Sequence, residues 1–174
     1  RERTLQNHIC RDYLTGLLNR RGLHTALDSL WQEDLPLALY IFDLGGLKKV
    51  SDGCGHDHDS QLLKAFGELL RRRTRNGDIL CRYGGDEFVV ILRRMDNAEA
   101  VRRKGTEICR AIGELLPGAE LLGSCSAGAV LCGDEECPFS ELLEKATKAL
   151  YRAKRLGKGT CCLWHDEAEK DICL

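Results

Sequence analysis

The sequence predicts an α+β fold in which helices flank a central, mainly antiparallel five-stranded sheet. Short apolar runs that suit buried strands alternate with longer segments whose apolar residues recur every three to four positions, as on one face of a helix. Two of the strands are separated only by a short segment with a glycine pair, which is typical of a hairpin and favours antiparallel pairing. The predicted order is helix, strand, helix, hairpin, helix, strand, helix, strand.

In the first half of the chain, a helix is predicted over residues 20–32, where leucines recur on one face. Pro36 then precedes an almost unbroken apolar run, Leu37 to Phe42, which suits a buried strand and ends at Asp43. The next helix is predicted over residues 59–75, since its apolar residues form a helical stripe. That stripe consists of Leu62, Leu63, Phe66, Leu69 and Leu70.

The second half of the chain continues the alternation of strands and helices. Strands are predicted at 79–83, 88–92, 121–131 and 161–164, and helices at 97–115 and 139–156. The last strand is expected to close the sheet at one edge.

A chain of 174 residues fits one domain, and we assign residues 12–165 to it. Residues 1–11 are interpreted as the polar end of a helix from an upstream region, and residues 166–174 as a tail. A net charge of −1 gives no reason to expect nucleic acid or a membrane surface as a partner. From the polar first residues we expect no signal peptide, and no apolar run approaches the roughly 18 residues that span a bilayer.

The ten cysteines are scattered, and several lie in apolar runs, as do Cys81 and Cys125. We expect reduced thiols that pack as small hydrophobic groups, and hence a cytoplasmic protein. Cys54, His56 and His58 alternate along the chain, which is not the usual spacing of zinc ligands, so a surface loop is favoured there.

Carboxylates stand at the ends of two predicted strands. Asp43 follows a buried strand, and Asp86 and Glu87 follow the turn pair Gly84-Gly85, which tolerates positive φ. If these strands are neighbours, the carboxylates meet at one edge, and their mutual repulsion calls for a cation such as Mg²⁺. The alternative is that Asp43 caps the following helix and Asp86 is a turn residue.

Segment 82–88 reads Arg82-Tyr83-Gly84-Gly85-Asp86-Glu87-Phe88 and resembles the signature of the GGDEF family, the diguanylate cyclases. Four further motifs resemble those of the family, in the family's order, over about residues 10–162. They are Asp12 to Arg20 (D-x-L-T-G-L-x-N-R), Gly55-His56, Ser126-Ala127-Gly128, and Ala149 to Lys154 (A-L-Y-x-A-K).

The resemblance implies a nucleotide-cyclase palm-like domain and a bacterial signalling enzyme. Two such domains face each other, and their two GTP molecules condense into cyclic di-GMP and two pyrophosphates. The resemblance implies Mg²⁺ or Mn²⁺ as the cofactor, held by Asp43, Asp86, Glu87 and the carbonyl of Leu44, with Asp86 and Glu87 as catalytic residues. It also implies that the active form is a homodimer.

The resemblance also implies the contacts to GTP. The glycine turn allows close approach of the backbone, and the helix that starts at Gly45 can bind phosphate oxygens through its N–H groups. Lys154 and Lys158 are expected to reach the γ-phosphate, although favourable charge at a helix C-terminus also explains them. The implied substrate-binding residues are Leu47, Lys48, Ser51, Asp52, Ser60, Gly84, Gly85, Lys154 and Lys158.

The chain departs from the family pattern at four positions. The second Asp of D-x-D is Gly45, the guanine-reading Asn is Ser51, the guanine-reading Asp is Ser60, and the Asp before A-L-Y is Thr147. A serine hydroxyl both donates and accepts, so it faces guanine or adenine with less penalty than a carboxylate does. This favours a relaxed base choice, with ATP as a second substrate. Ser60 also resembles the replacement in a GGDEF subgroup that makes mixed cyclic GMP–AMP, which implies that dinucleotide as an expected product. The alternative is decay of a site no longer used.

Arg75-Asn76-Gly77-Asp78 resembles the family's R-x-x-D product-inhibition site, so Arg75 and Asp78 are predicted to bind cyclic di-GMP. The run of arginines before it also suits a solvated helix end. A second functional hypothesis follows, in which the domain is catalytically degenerate and acts as a regulatory module that binds cyclic di-GMP or a nucleotide. An RNA-binding sheet is disfavoured, because aromatic residues are few and no basic face is evident.

Overall fold

The computed structural model describes residues 2–30, 32–45, 56–115, 125–135, 137–157 and 159–165. Within these ranges the helices are α1 (Glu2–Cys10), α2 (Arg20–Leu27), α3 (His56–Arg73), α4 (Ala98–Ala111) and α5 (Phe139–Leu156), with 3₁₀ turns at Gln32–Asp34 and Ile112–Glu114. The strands are β1 (Leu37–Leu44), β2 (Ile79–Arg82), β3 (Glu87–Leu92), β4 (Cys125–Cys132) and β5 (Cys161–Leu163).

Among the described residues, the five strands form one sheet in the order β2-β3-β1-β4-β5. Strand β1 is central and pairs antiparallel with β3 and β4, whereas β5 pairs parallel with β4. All eight residues of β1 are buried, which explains why this strand is an unbroken apolar run rather than an alternating one. The predicted α+β class and the mainly antiparallel sheet are confirmed.

The core lies on both faces of this sheet. One face carries a cluster of aromatic rings, in which Phe66 of α3 contacts Phe42 and Phe88 edge-on at centroid distances of 5.8 and 4.9 Å. The other face packs against α2 and α5. Close approach of α5 requires Gly128 in β4, because a Cβ there would lie 2.0 Å from the carbonyl oxygen of Ala146.

Some element boundaries differ from the predicted ones. Helix α2 ends at Leu27 instead of continuing to residue 32. The predicted helix over 97–115 begins only at Ala98, because the side chain of Asn97 accepts a hydrogen bond from the N–H of Ala100 as an N-cap, and it tightens into a 3₁₀ turn after Ala111. None of the described helices has both the length and the apolar composition needed to cross a membrane.

Among the cysteines that the structure describes, only Cys162 departs from the predicted pattern. The free thiols among the described residues are Cys10, Cys81, Cys109, Cys125, Cys132, Cys137 and Cys161. Most are buried and pack as apolar groups, but Cys162 is disulfide-bonded, contrary to the expectation that the thiols are reduced.

Candidate nucleotide and metal site

The sheet register brings two of the predicted carboxylates together. Asp43, near the end of β1, lies directly opposite Glu87, the first residue of β3. Directly opposed residues of an antiparallel pair project to the same face with Cβ atoms about 4.5–5.5 Å apart. Asp86 precedes Glu87, and its carbonyl accepts a hydrogen bond of 2.9 Å from the N–H of Leu44. The strand ends therefore converge as the sequence predicts.

These carboxylates are close enough to perturb one another. The pKa of Glu87 is raised above its ordinary value by burial and by the negative charges of Asp43 and Asp86. The positive charges of Lys154 and Arg20 offset part of this effect. Asp43 itself is only 6% exposed. Negative charge is thus concentrated at this partly desolvated edge of the sheet. A bound cation would reduce the repulsion between the carboxylates.

A lysine already contacts this cluster. The ammonium of Lys154, in the last turn of α5, lies 2.5 Å from Oδ2 of Asp43. That hydrogen bond raises the pKa of Lys154 more than partial burial lowers it, with further support from the charges of Glu87 and Asp86. Lys154 was predicted as a phosphate ligand; in this structure its partner is the carboxylate.

The hairpin between β2 and β3 carries the glycine pair. The N–H groups of Tyr83 and Gly84 both donate to the carbonyl of Glu87, at 2.8 and 3.1 Å. Among the described residues, neither Gly84 nor Gly85 has positive φ, so the expected conformational reason for these glycines does not hold. The space around them is more informative, because a Cβ at Gly85 would meet no atom within 4 Å. The backbone here is open to a close ligand.

Two arginines hold this hairpin in place, and neither was predicted to do so from the sequence. Arg82 donates to the carbonyl of Gly85 at 2.8 Å and pairs with the carboxylate of Asp12 at 3.2 Å. Arg20 donates to the carbonyl of Tyr83 at 2.7 Å, and its guanidinium lies 4.1 Å from the centre of the Tyr83 ring. Both Asp12 and Arg20 belong to the D-x-L-T-G-L-x-N-R motif, so that motif was the feature of the sequence from which these contacts to the hairpin could have been predicted.

Asp12 is fixed in turn by its own loop. The N–H and hydroxyl of Thr15 donate to its carboxylate at 2.8 and 2.7 Å. Burial alone would raise the pKa of Asp12, but these hydrogen bonds and the charge of Arg82 outweigh it and lower the pKa below its ordinary value. Asp12 therefore stays ionised and anchors Arg82.

The donor set at the sheet edge fits a hard divalent cation with few protein ligands. No group of three or more acidic, histidine or cysteine side chains within the described residues is arranged to hold a metal. Mg²⁺ commonly uses only one or two carboxylates and completes its shell with phosphates and water. Oδ1 of Asp43 is buried without a hydrogen-bond partner among the described residues, and a Cβ at Gly45 would lie 3.3 Å from it. One carboxylate oxygen is thus available to a cation.

The sequence model of the family described as "Diguanylate cyclase, GGDEF domain" matches residues 9–160. The chain belongs to the GGDEF family. Diguanylate cyclase DosC of Escherichia coli K12 is 29% identical over 170 residues, which cover 94% of this chain and 37% of DosC. Response regulator PleD of Caulobacter vibrioides NA1000 is 34% identical over 155 residues, covering 84% of this chain and 34% of PleD.

Solved structures resemble this GGDEF domain as well. One of them, a microbial GGDEF domain in a novel interaction mode with cyclic di-GMP, is 29% identical to this chain and has a TM-score of 0.76. The match covers 91% of this chain and 99% of the other. The chain thus spans nearly all of an isolated GGDEF domain but only about a third of the curated relatives DosC and PleD.

The other predicted site residues are partly described. Ser60 is half-buried in the first part of α3, and Asp59 before it has one carboxylate oxygen buried without a partner among the described residues. Several predicted ligands lie outside the described residues, namely Leu47, Lys48, Ser51, Asp52 and Lys158.

The predicted product-inhibition residues line a cavity of about 250 Å³ that contains none of the carboxylates at the glycine hairpin. Asp78 has a side chain only 3% exposed, and its two oxygens accept backbone N–H groups of Arg75 and Arg93 at 2.8 and 3.1 Å. The carboxylate of Asp78 therefore stabilises the backbone of this loop and does not face solvent. The side chain of Arg75 is 60% exposed, and Arg93 and Arg94, which the sequence analysis did not single out, also line the cavity.

Proposed function

We propose that this GGDEF domain is the catalytic domain of a diguanylate cyclase, which condenses two GTP molecules into cyclic di-GMP and two pyrophosphates. One observation carries the proposal: Asp43 and Glu87 face each other beside an open glycine hairpin, and one oxygen of Asp43 is buried without a partner. Such a site can bind a divalent cation and admit the phosphates of a nucleotide.

In this mechanism Asp43 and Glu87, with Asp86 and the carbonyl of Leu44 nearby, would hold Mg²⁺. When bound, Mg²⁺ neutralises the charge that develops on the phosphates and lowers the barrier to deprotonation of the attacking hydroxyl. The open space at Gly85 lets a nucleotide lie close to the hairpin backbone. Lys154 lies within reach of the same place and supplies positive charge for the phosphates.

The reaction needs two copies of the domain, each with one GTP. The 3′-hydroxyl of each nucleotide attacks the α-phosphate of the other, and each attack forms one phosphodiester bond and releases one pyrophosphate. Catalysis of this kind depends mainly on positioning and on charge neutralisation. Arg82 and Arg20 contribute to positioning, because they fix the hairpin carbonyls of Gly85 and Tyr83. GTP is a cytoplasmic substrate, so we place the reaction in the cytoplasm.

The test is product formation by the chain, with a fused N-terminal dimerisation helix in a second preparation so that two domains can meet. Each is incubated with Mg²⁺ and GTP, ATP or an equimolar mixture, and products are separated by chromatography and identified by mass. Cyclic di-GMP is expected from GTP, and mixed cyclic GMP–AMP from the mixture if Ser60 relaxes base choice. Asp43→Asn is the inactive control. Absence of any cyclic dinucleotide from both preparations would refute the cyclase proposal.

A second candidate function is binding of cyclic di-GMP at the Arg75 cavity, either as product inhibition or as the sole role of a degenerate domain. Arg75, Arg93 and Arg94 line this cavity together, and Nε of Arg93 is buried without a partner among the described residues. Guanidinium groups bind phosphate oxygens in a bidentate manner. Arg94 also has φ of 55°, a strained conformation for a non-glycine residue that often marks a functional site.

Calorimetry with cyclic di-GMP tests this second function without reference to catalysis. We expect Arg75→Ala and Arg93→Ala each to weaken binding by about tenfold or more. Arg72→Ala is the matched control, since Arg72 is an exposed arginine in the last turn of α3 that does not line the cavity. Binding that persists unchanged in Arg75→Ala would exclude this cavity.

A further inference from the structure

The contact between Lys154 and Asp43 places a positive charge where the proposed cation would be bound. Lys154 reaches from α5 to β1, and its ammonium touches one oxygen of Asp43 while the other oxygen has no partner among the described residues. The side chain of Asp43 is 8% exposed and that of Lys154 is 45% exposed. The carboxylate is thus fixed inside the protein, whereas the lysine can withdraw towards solvent.

We propose that Lys154 and the divalent cation exchange on Asp43, so that binding of the cation releases Lys154 to bind the phosphates of the nucleotide. This inference rests on the cyclase proposal for the identity of the ligands, but it adds a residue-level event to it. Without cation or nucleotide, Lys154 neutralises the carboxylates. With both present, the cation takes over Asp43 and the ammonium turns to the triphosphate.

The physical reason is charge balance at a partly buried edge. Asp43, Asp86 and Glu87 converge there, and Glu87 is the cross-strand neighbour of Asp43. Such a cluster is costly without positive charge nearby. The lysine supplies one positive charge, whereas a divalent cation supplies two and brings oxygen-ligand bonds as well. A cation that approaches Asp43 must therefore repel or displace the ammonium.

Exchange predicts opposite effects on two ligands. If Lys154 loses its charge, the nucleotide-free protein should bind a divalent cation more tightly, because nothing competes for Oδ2 of Asp43. The same change should weaken binding of GTP measured in the absence of metal, because the triphosphate loses a cation partner. A lysine that only stabilises the fold, or only binds phosphate, would not tighten metal binding.

The experiment titrates metal-free, nucleotide-free protein with Mn²⁺ alone and measures free Mn²⁺ by electron paramagnetic resonance. Lys154→Met keeps the length of the side chain and removes its charge, and should bind Mn²⁺ about fivefold more tightly, as expected when one competing ion pair is removed. Lys154→Arg keeps the charge and should stay within about twofold of wild type. Lys148→Met is the matched control, since Lys148 is on the same helix but pairs with Glu144 on the surface.

Calorimetry with GTP in EDTA supplies the second arm, in which Lys154→Met should bind more weakly than Lys148→Met. Mn²⁺ affinity of Lys154→Met that equals or falls below wild type would overturn the exchange, as would the absence of Mn²⁺ binding in every variant. These outcomes are distinct from failure of the cyclase proposal. Tighter Mn²⁺ binding in a protein that makes no cyclic dinucleotide would refute the cyclase alone.

Discussion

Asp12 and Arg82 form an ion pair with a separation of 3.2 Å, and both side chains are only 14% exposed. Asp12 lies in the loop before α2, whereas Arg82 ends β2 and donates to the carbonyl of Gly85. The pair therefore connects the loop after the N-terminal helix α1 to the hairpin that carries the candidate catalytic residues. A substitution at Asp12 should therefore alter the position of the hairpin, although Asp12 is not itself a predicted ligand of metal or nucleotide.

Asp12→Ala should lower the free energy of unfolding by about 2–3 kcal/mol, since it removes a charged hydrogen-bond partner and leaves the mostly buried guanidinium of Arg82 without its carboxylate counter-charge. Urea unfolding at pH 7 measures this. Asp96→Ala, an exposed Asp in the loop before α4, is the control and should change stability by less than about 0.5 kcal/mol. A loss at Asp12 as small as at Asp96 would show that the pair is energetically unimportant.

The same pair predicts a pH dependence. Because the pKa of Asp12 is lower in the folded state than in the unfolded chain, folding favours the ionised carboxylate. This contribution is fully present above the unfolded-state pKa and is lost as the pH falls through the lower folded-state pKa. The stability difference between wild type and Asp12→Ala should therefore shrink on acidification below the ordinary pKa of an aspartate. A difference that stays constant down to strongly acidic pH would contradict this assignment.

The sequence predicted the fold and the convergence of Asp43 with Glu87, because both follow from where buried strands end. It did not predict the contact between Lys154 and Asp43, since the rotation of α5 over the sheet depends on packing at Gly128. Nor did it predict the burial of Asp78, because whether a loop carboxylate faces a ligand or its own backbone N–H groups is a matter of tertiary geometry.

Gly85→Ala should leave the fold intact and weaken GTP binding by at least about tenfold. A Cβ at this position meets no atom within 4 Å, and the backbone does not have positive φ. Alanine should therefore fit the ligand-free protein without a clash or backbone strain. Only a ligand that fills this space would be displaced, and small displacements are costly for phosphoryl transfer. Thermal unfolding and GTP titration measure the two effects.

Gly133→Ala is the matched control for Gly85→Ala, since a Cβ there is equally free and the residue lies in the turn after β4, far along the chain from the hairpin. Both variants should keep the wild-type melting temperature, and only Gly85→Ala should lose GTP affinity. Wild-type GTP affinity in Gly85→Ala would mean that the nucleotide does not approach this face of the hairpin.

Glu87→Gln should raise the melting temperature of the metal-free protein while reducing cyclase turnover by more than about a hundredfold. The raised pKa of Glu87 means that its ionised form is disfavoured in the fold, by burial and by Asp43 and Asp86. Opposed like charges across strands cost about 0.2–1 kcal/mol, which corresponds to a rise of up to about 4 °C for a domain of this size. Glu107→Gln, an exposed residue of α4, should change neither property.

The effect of Glu87→Gln on stability should depend on pH. Since its folded-state pKa is raised, stability is lost as the pH rises from the unfolded-state pKa through the folded-state pKa. The gain from Glu87→Gln should therefore be present at neutral pH and disappear in acid, where the native carboxyl is protonated. If Glu87→Gln lowers the melting temperature at pH 7, the ionised carboxylate of Glu87 stabilises the fold and the prediction is wrong.

Base selectivity depends on which residue at the start of α3 faces the purine. If Ser60 does, Ser60→Asp should restore a carboxylate that accepts from the N1–H and 2-amino groups of guanine. One charged hydrogen bond contributes about 1.5–3 kcal/mol, so the ratio of kcat/KM for GTP to that for ATP should rise about ten- to a hundredfold. If instead the buried, unpartnered oxygen of Asp59 reads guanine, Asp59→Asn should lower that ratio and Ser60→Asp should leave it unchanged. Measuring both variants with both nucleotides separates the two arrangements, and an unaltered ratio in both would place the base away from this turn of the helix.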